Sequence, residues 1–217
     1  MIDNGSGHHD SLDYLKTVQW IKLLVRIPEE IDPDPNRAHR DALQLGLEAS
    51  SHDYVMSLHT DAFVLRDDWL EWMIRPMLED DQVGATGTYK LSYRPFWQQG
   101  LIDIKHFFRS RNPENPSTPY IRSHCALYNR CIMDEINLGF LSNETAGREL
   151  HFTMENNGYK THLFPVRHMA KFVAHINHGT MIINPELCNR KKTVRAGEKR
   201  VQAFYASKFI QDIYHSK

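Results

Sequence analysis

The sequence has no apolar run approaching the roughly 18 residues of a membrane-spanning helix, so a transmembrane segment is not expected. Cysteine is scarce. Cys125, Cys131 and Cys188 are odd in number and lack C-x-x-C spacing, which argues against a disulfide framework and fits reduced thiols in a cytoplasmic setting. Excess charge of one sign is also missing: the formal net charge is −1, so no global field recruits nucleic acid or an anionic membrane. There are no internal repeats and no low-complexity tracts. The thirteen histidines permit a His/Asp metallohydrolase, but no H-E-x-x-H or H-x-x-x-H pattern supports one. The polar, acidic opening does not read as a signal peptide. Only two residues precede the turn-forming Asp3-Asn4-Gly5-Ser6, where a strand normally comes first. The first strand is therefore expected to be very short or to lack its upstream part.

What is present is an ordinary globular composition, 41% apolar and 24% charged over 217 residues. That length suits one core over residues 1–190, followed by a helical appendage over 191–217. Asp10-Ser11 cap a helix with Leu12, Leu15 and Val18 on one face, and residues 22–27 read as a strand. Pro28, Pro33 and Pro35 keep the next loop irregular, and a helix follows from Asn36 to Ala49. The central stretch is Asp53 to Trp72. Its apolar run Tyr54–Leu58 ends in the polar triplet His59-Thr60-Asp61, and a Trp-containing amphipathic segment follows. A buried strand with a polar tip, then a helix, is how an open α/β sheet presents ligand-binding side chains at its carboxyl edge. Strands are expected at 83–89, 120–128, 161–165 and 172–180, with a helix at 145–156 that Asn157-Gly158 stop. Alternating strands and helices in the first half imply a mostly parallel sheet flanked by helices. The aromatic, basic stretch from Ser92 to Tyr120 reads either as a lid or acceptor-binding segment or as a surface excursion. In the tail, Val201, Phe204, Tyr205, Phe209 and Ile213 fall at helical spacing. That face can cover the sheet, pair two subunits as a homodimer or touch a membrane surface.

Four pieces in order resemble a family 2 glycosyltransferase of the GT-A type. They are Ile2-Asp3-Asn4-Gly5-Ser6 with Asp10-Ser11-Leu12; Tyr54 to Asp61 with Trp69-Leu70; Ser123 to Arg130; and Leu138-Gly139-Phe140 with Glu149-Leu150 and Asn157-Gly158-Tyr159-Lys160. The resemblance implies a GT-A-like fold entered at the family's second strand, hence an N-terminally truncated or divergent member. It implies a nucleotide-sugar donor, a glycan, polysaccharide or lipid-linked acceptor, Mn²⁺ or Mg²⁺, no nucleic acid, and work in the cytoplasm or at the inner membrane face. Asp61 matches the last aspartate of the family's D-x-D, and His59 stands where the first is usual; both are expected at the metal and the donor. Asp3 and Ser6 match donor-binding positions. His175 and His178 fall where the family often carries a metal-completing histidine, and His178, beside Gly179-Thr180, is preferred. The usual acidic pair before the last helix falls on Ala146-Gly147, which leaves Glu144 or Glu149 as the expected base for an inverting transfer. The same departure keeps open a catalytically impaired relative that only binds nucleotide or a partner.

Overall fold

The computed structural model describes residues 1–4, 9–108, 114–115, 117–141, 145–177, 179, 182 and 191–215. The chain runs β1 (Ile2–Asp3), α1 (His9–Thr17), β2 (Leu24–Val25), α2 (Pro35–Glu48), β3 (Tyr54–Leu58), β4 (Ala62–Val64), α3 (Trp69–Glu79), β5 (Val83–Gly87) and α4 (Phe96–Phe107). It continues through β6 (Cys125–Asn129), α5 (Arg130–Glu135), α6 (Arg148–Asn156), β7 (Lys160–Leu163), α7 (Val166–Met169), β8 (Val173–His175), α8 (Lys191–Tyr205) and α9 (Lys208–His215). The α/β reading holds, and the elements fall close to their expected places.

The central sheet has the order β3-β6-β5-β7. It is mixed where the alternation of strands and helices suggested mostly parallel. β5 and β7 are parallel, as are β1 and β2 in a separate pair, but β6 runs antiparallel to both its neighbours. The cause is the excursion between β5 and β6. A helix that crosses back over a sheet restores the strand direction. This excursion instead returns to where it left, with Arg122 N–H donating to the Thr88 carbonyl (3.2 Å), so the next strand enters from the carboxyl end of β5. The carboxyl ends of β3 and β5 and the amino end of β6 therefore share one sheet edge.

Side chains of β6 alternate between two cores, as the pleat requires. Cys125 and Leu127 face Met73 and Met77 of α3 and Val166 and Met169 of α7. Ala126 and Tyr128 face Leu47 of α2, Met133 of α5 and Leu150 and Met154 of α6. A third cluster joins β4 and β8 to the tail, where Ala174 and Ile176 pack on Phe204 and Ile210. The tail is not one continuous helix: it breaks at Ala206-Ser207 and changes phase. Phe204 and Ile210 are buried as a result, while Tyr205 and Ile213 stay exposed.

Candidate active site at the carboxyl edge of β3

The site begins where β3 ends. The register that pairs Leu58 with Cys125 sets His59 beside His124, and the His59 N–H donates to the His124 carbonyl at 3.0 Å. The chain then turns back into β4, with Ala62 N–H on the His59 carbonyl and Ile176 N–H on the Asp61 carbonyl, both at 3.0 Å. The tip is thus fixed from β6 on one side and from the residues after β8 on the other.

The pairing of β4 with β8 sets His175 opposite Ala62, one residue from Asp61. His175 Nδ1 lies 3.0 Å from the Leu91 carbonyl, and its Nε2 lies 3.1 Å from Asp61 Oδ1. A carbonyl only accepts, so Nδ1 carries the hydrogen. Nε2 then meets the carboxylate favourably only as imidazolium, or when a cation lies between two lone pairs. The second carboxylate oxygen accepts from Gly179 N–H at 3.0 Å. Gly179 is a close approach that only glycine permits, since a Cβ there would meet the Asp61 Cβ at 2.9 Å. His59 Nδ1 is 4.0 Å from Asp61 Oδ1, and the donor atoms of His59, Asp61 and His175 all lie within 4.8 Å of one another. Two imidazole nitrogens and a carboxylate at this spacing fit a divalent transition metal. Loss of a buried imidazole's proton also suits ligation, because a metal ligand must be neutral.

Around these three lies a shell the sequence alone did not single out. Ser123 Oγ is 3.5 Å from His59 Nε2 and 3.2 Å from Nε2 of His39 on α2. His124 stacks face to face on His175, ring centroids 4.7 Å apart, and its Nε2 is buried with no hydrogen-bond partner among the described residues. Arg200 of α8 donates to the Ile176 and Asn177 carbonyls at 2.7 and 3.1 Å, and it lies near enough to Arg94 and Asp61 to feel both charges. His39 comes from α2, Ser123 and His124 from the segment before β6 and Arg200 from α8, and only the fold gathers them.

Asp3, at the carboxyl end of β1, is buried, and the Arg26 N–H donates to its carbonyl at 3.0 Å. The Arg26 guanidinium donates to Asn4 Oδ1 and to the Ala38 carbonyl, next to His39. The first turn of α2 therefore links the Asp3 end to the histidine cluster. Glu149 lies in the first turn of α6, half-buried. Ser6, Glu144 and His178 lie outside the described residues.

Burial sets the protonation of the cluster. It pushes His59 down to about 4, with the charges of His39 and His175 adding and Asp61 opposing. Burial also lowers His39, and it lowers His124 well below the usual imidazole range. For Asp61 burial acts upward, but the His175 hydrogen bond and charge, the Gly179 N–H and His59 outweigh it and hold the carboxyl well below its usual range. Each lowered histidine binds fewer protons folded than unfolded. Metal-free stability is therefore full above the unfolded imidazole pKa of about 6.5 and is lost as pH falls from there toward about 4. The slope per histidine is about 1.4 kcal/mol per pH unit at most. Urea midpoints measured from pH 7.5 to 4.5 should drop steadily below pH 6.5, and a flat profile would refute the buried neutral cluster.

Residues 2–136 match the family model described as glycosyl transferase family 2. The chain belongs to that family. A search of curated proteins gave no match. Among solved structures, glucosyl-3-phosphoglycerate synthase from Mycobacterium tuberculosis, in complex with phosphoglyceric acid, is similar at 16% identity and TM-score 0.47, over 92% of this chain and 67% of that one. A second, a mycobacterial protein, is similar at 16% identity and TM-score 0.38, and this chain covers 42% of its length with 61% of its own. Within the family 2 match, Asp3, His59 and Asp61 fall inside the matched residues, whereas His175 and Arg200 lie beyond them.

Proposed function

We propose that this family 2 glycosyltransferase moves a sugar from a nucleotide-diphosphate donor to a hydroxyl acceptor, a glycan, polysaccharide or glycolipid, with inversion and with a divalent cation. The observation that carries this reading is the pairing of His175 and Asp61. With Nδ1 committed to Leu91, the 3.1 Å contact of Nε2 with the carboxylate suits two donors sharing one cation. Asp61, His59 and His175 are the residues that would hold it. Two imidazoles favour Mn²⁺ over Mg²⁺, which prefers oxygen donors. When bound, the cation neutralises the leaving diphosphate. Arg94 and Arg200 bring further positive charge to the same edge, where an anionic leaving group gains most from it. Asp3 can accept from a nucleoside N–H or ribose hydroxyl, and Ser6 belongs to the same turn in sequence. Glu144, outside the described residues, and after it Glu149 in the first turn of α6 are the carboxylates we propose to take the acceptor proton. Calorimetric titration of UDP-, GDP- and dTDP-sugars with and without Mn²⁺ tests this. Binding of at least one donor that depends on Mn²⁺ is expected, and no binding to any of them would sink it.

A specific observation favours a second reading, a relative that binds donor without transferring. Gly147, one of the two positions where the resemblance puts the family's acidic pair, is in a left-handed conformation (φ 90°), and a Cβ there would meet the Ile121 carbonyl oxygen at 2.5 Å. Donor binding with neither transfer nor hydrolysis would select it.

His39 and Ser123 act in this reading as positioning residues. With His59 Nε2–H donating to Ser123 Oγ, and the Ser123 hydroxyl donating to His39, the His59 Nδ1 lone pair is turned toward Asp61. Ser123→Ala is expected to weaken Mn²⁺ binding by roughly tenfold without changing the melting temperature by more than a few degrees. An unchanged Mn²⁺ affinity, read by electron paramagnetic resonance, would remove Ser123 from that role.

A further inference from the structure

The most unusual surface of the molecule lies on α4. Phe96, Trp97, Leu101, Ile104, Phe107 and Phe108 are all exposed, Phe107 and Phe108 at 82% and 79%. At 100° per residue the five of these in the helix fall within one continuous arc, and Phe108 is its C-cap. Single exposed apolar residues need no explanation, but a contiguous aromatic face of this kind marks an interaction site. The opposite side holds the helix in place. Gln99 is buried and donates to the Ser92 carbonyl, and Asp103 accepts from Val166 and Arg167 N–H of α7. So α4 is docked with its apolar face outward.

The exposed charge of the helix, Lys105, borders this face and is positive, while the acid of the helix, Asp103, is turned to α7 and Arg167. A convex aromatic arc with a cationic margin matches the boundary of a bilayer that contains anionic lipid. The near-zero net charge does not oppose this, since the attraction is local to the patch. We propose that α4 is a membrane-surface anchor, its aromatic arc inserted at the headgroup boundary and its basic margin on anionic headgroups. Resting on the transferase reading above, the same geometry assigns a lipid-borne acceptor. The segment leading into α4 is tied directly to the candidate metal site, through His175 Nδ1 on the Leu91 carbonyl and Tyr93 N–H on the His175 carbonyl (2.7 Å). A helix seated on the membrane would hold the reacting edge within a few residues of it. The tail is committed elsewhere, with Phe204 and Ile210 in the core.

Co-sedimentation of the full chain with vesicles of phosphatidylcholine alone, or with added phosphatidylglycerol, tests the anchor. Sedimentation with the anionic vesicles is expected, clearly stronger than with phosphatidylcholine alone and weakened by salt. Phe107→Ser combined with Phe108→Ser should cut partitioning to roughly a hundredth, and Lys105→Glu to roughly a tenth. Both variants alter exposed side chains, and each should keep the wild-type melting temperature and Mn²⁺ affinity; if the double variant fails to fold, Lys105→Glu decides. A wild-type chain that stays in the supernatant, or that sediments equally with both vesicles, overturns the proposal. So does a lipid-free dimer in analytical ultracentrifugation that the double variant converts to monomer, since the face would then belong to a second copy. Mn²⁺-dependent donor binding, measured without vesicles on the same protein, separates failure of the anchor from failure of the transferase reading.

Discussion

Asp61→Asn is expected to abolish metal-dependent donor binding while leaving the fold intact. The substitution is nearly isosteric. Its carbonyl oxygen can still accept from Gly179 N–H, and its amide can donate to Nε2 of a neutral His175, so both side-chain contacts of Asp61 have replacements. What is lost is the negative charge, and with it the oxygen donor most suited to a hard divalent ion. Loss of an outer-shell partner costs roughly 10–100-fold in metal affinity. Loss of the carboxylate itself should exceed that, so Mn²⁺ binding is expected to fall by more than about 100-fold. The melting temperature at pH 7.5 should stay within a few degrees of wild type. Mn²⁺ binding by paramagnetic resonance and donor binding by calorimetry read the two sides separately. Asp61→Asn with wild-type Mn²⁺ affinity would show that the His175–Asp61 pair is an ion pair that holds β4 to β8, and the metal reading would fall with it.

The sequence carried the strand ending in His59-Thr60-Asp61 because a short apolar run with a polar tip is a local signal, readable without knowing any partner. It also placed helices at 36–49 and 145–156, within a few residues of α2 and α6, because helical spacing and stop signals are local as well. Sheet direction was not legible. Whether β6 runs with or against β5 depends on where the 88–124 excursion returns, and that is fixed by a hydrogen bond between residues 34 apart, Arg122 and Thr88. The shell of the site was hidden for the same reason. His39, Ser123 and Arg200 sit on α2, before β6 and on α8; Ser123 opens a piece that resembles the family, but nothing along the chain says that these three meet at one site. His175 was visible only as one of two histidines three residues apart. The register of β4 on β8 brings it to Asp61. The tail's apolar spacing was real, but a break at Ala206-Ser207 shifts the phase, so Ile210 replaces Ile213 in the core.

Gly147 is the position where restoring the family pattern should do the most harm. By the resemblance, the family's acidic pair would fall on Ala146-Gly147, so Gly147→Asp is the substitution a sequence comparison would suggest to supply a base. The geometry predicts the opposite of a gain. Gly147 precedes the first turn of α6 at φ 90° and ψ −23°, a conformation L side chains rarely adopt. A Cβ there would also meet the Ile121 carbonyl oxygen at 2.5 Å, backbone that cannot swing aside like a side chain. Ile121 is itself fully buried, and Ser123, two residues on, has its Oγ 3.5 Å from His59 Nε2. Relief of the clash would therefore move α6 away from the segment beside the candidate metal site. Strain and overpacking together should cost about 2–4 kcal/mol for Gly147→Ala as well as Gly147→Asp, a fall in melting temperature of roughly 5–15 °C for a chain of this size. Transfer should not rise in either. Ala146→Asp makes the informative contrast, because Ala146 is half-buried and its φ is not positive. That variant should fold, and any transferase activity it gains over wild type would place the family's base position one residue before the glycine. A Gly147→Asp protein that melts with wild type would refute the close approach of α6 to Ile121, and with it the explanation of why this chain carries no carboxylate at that position.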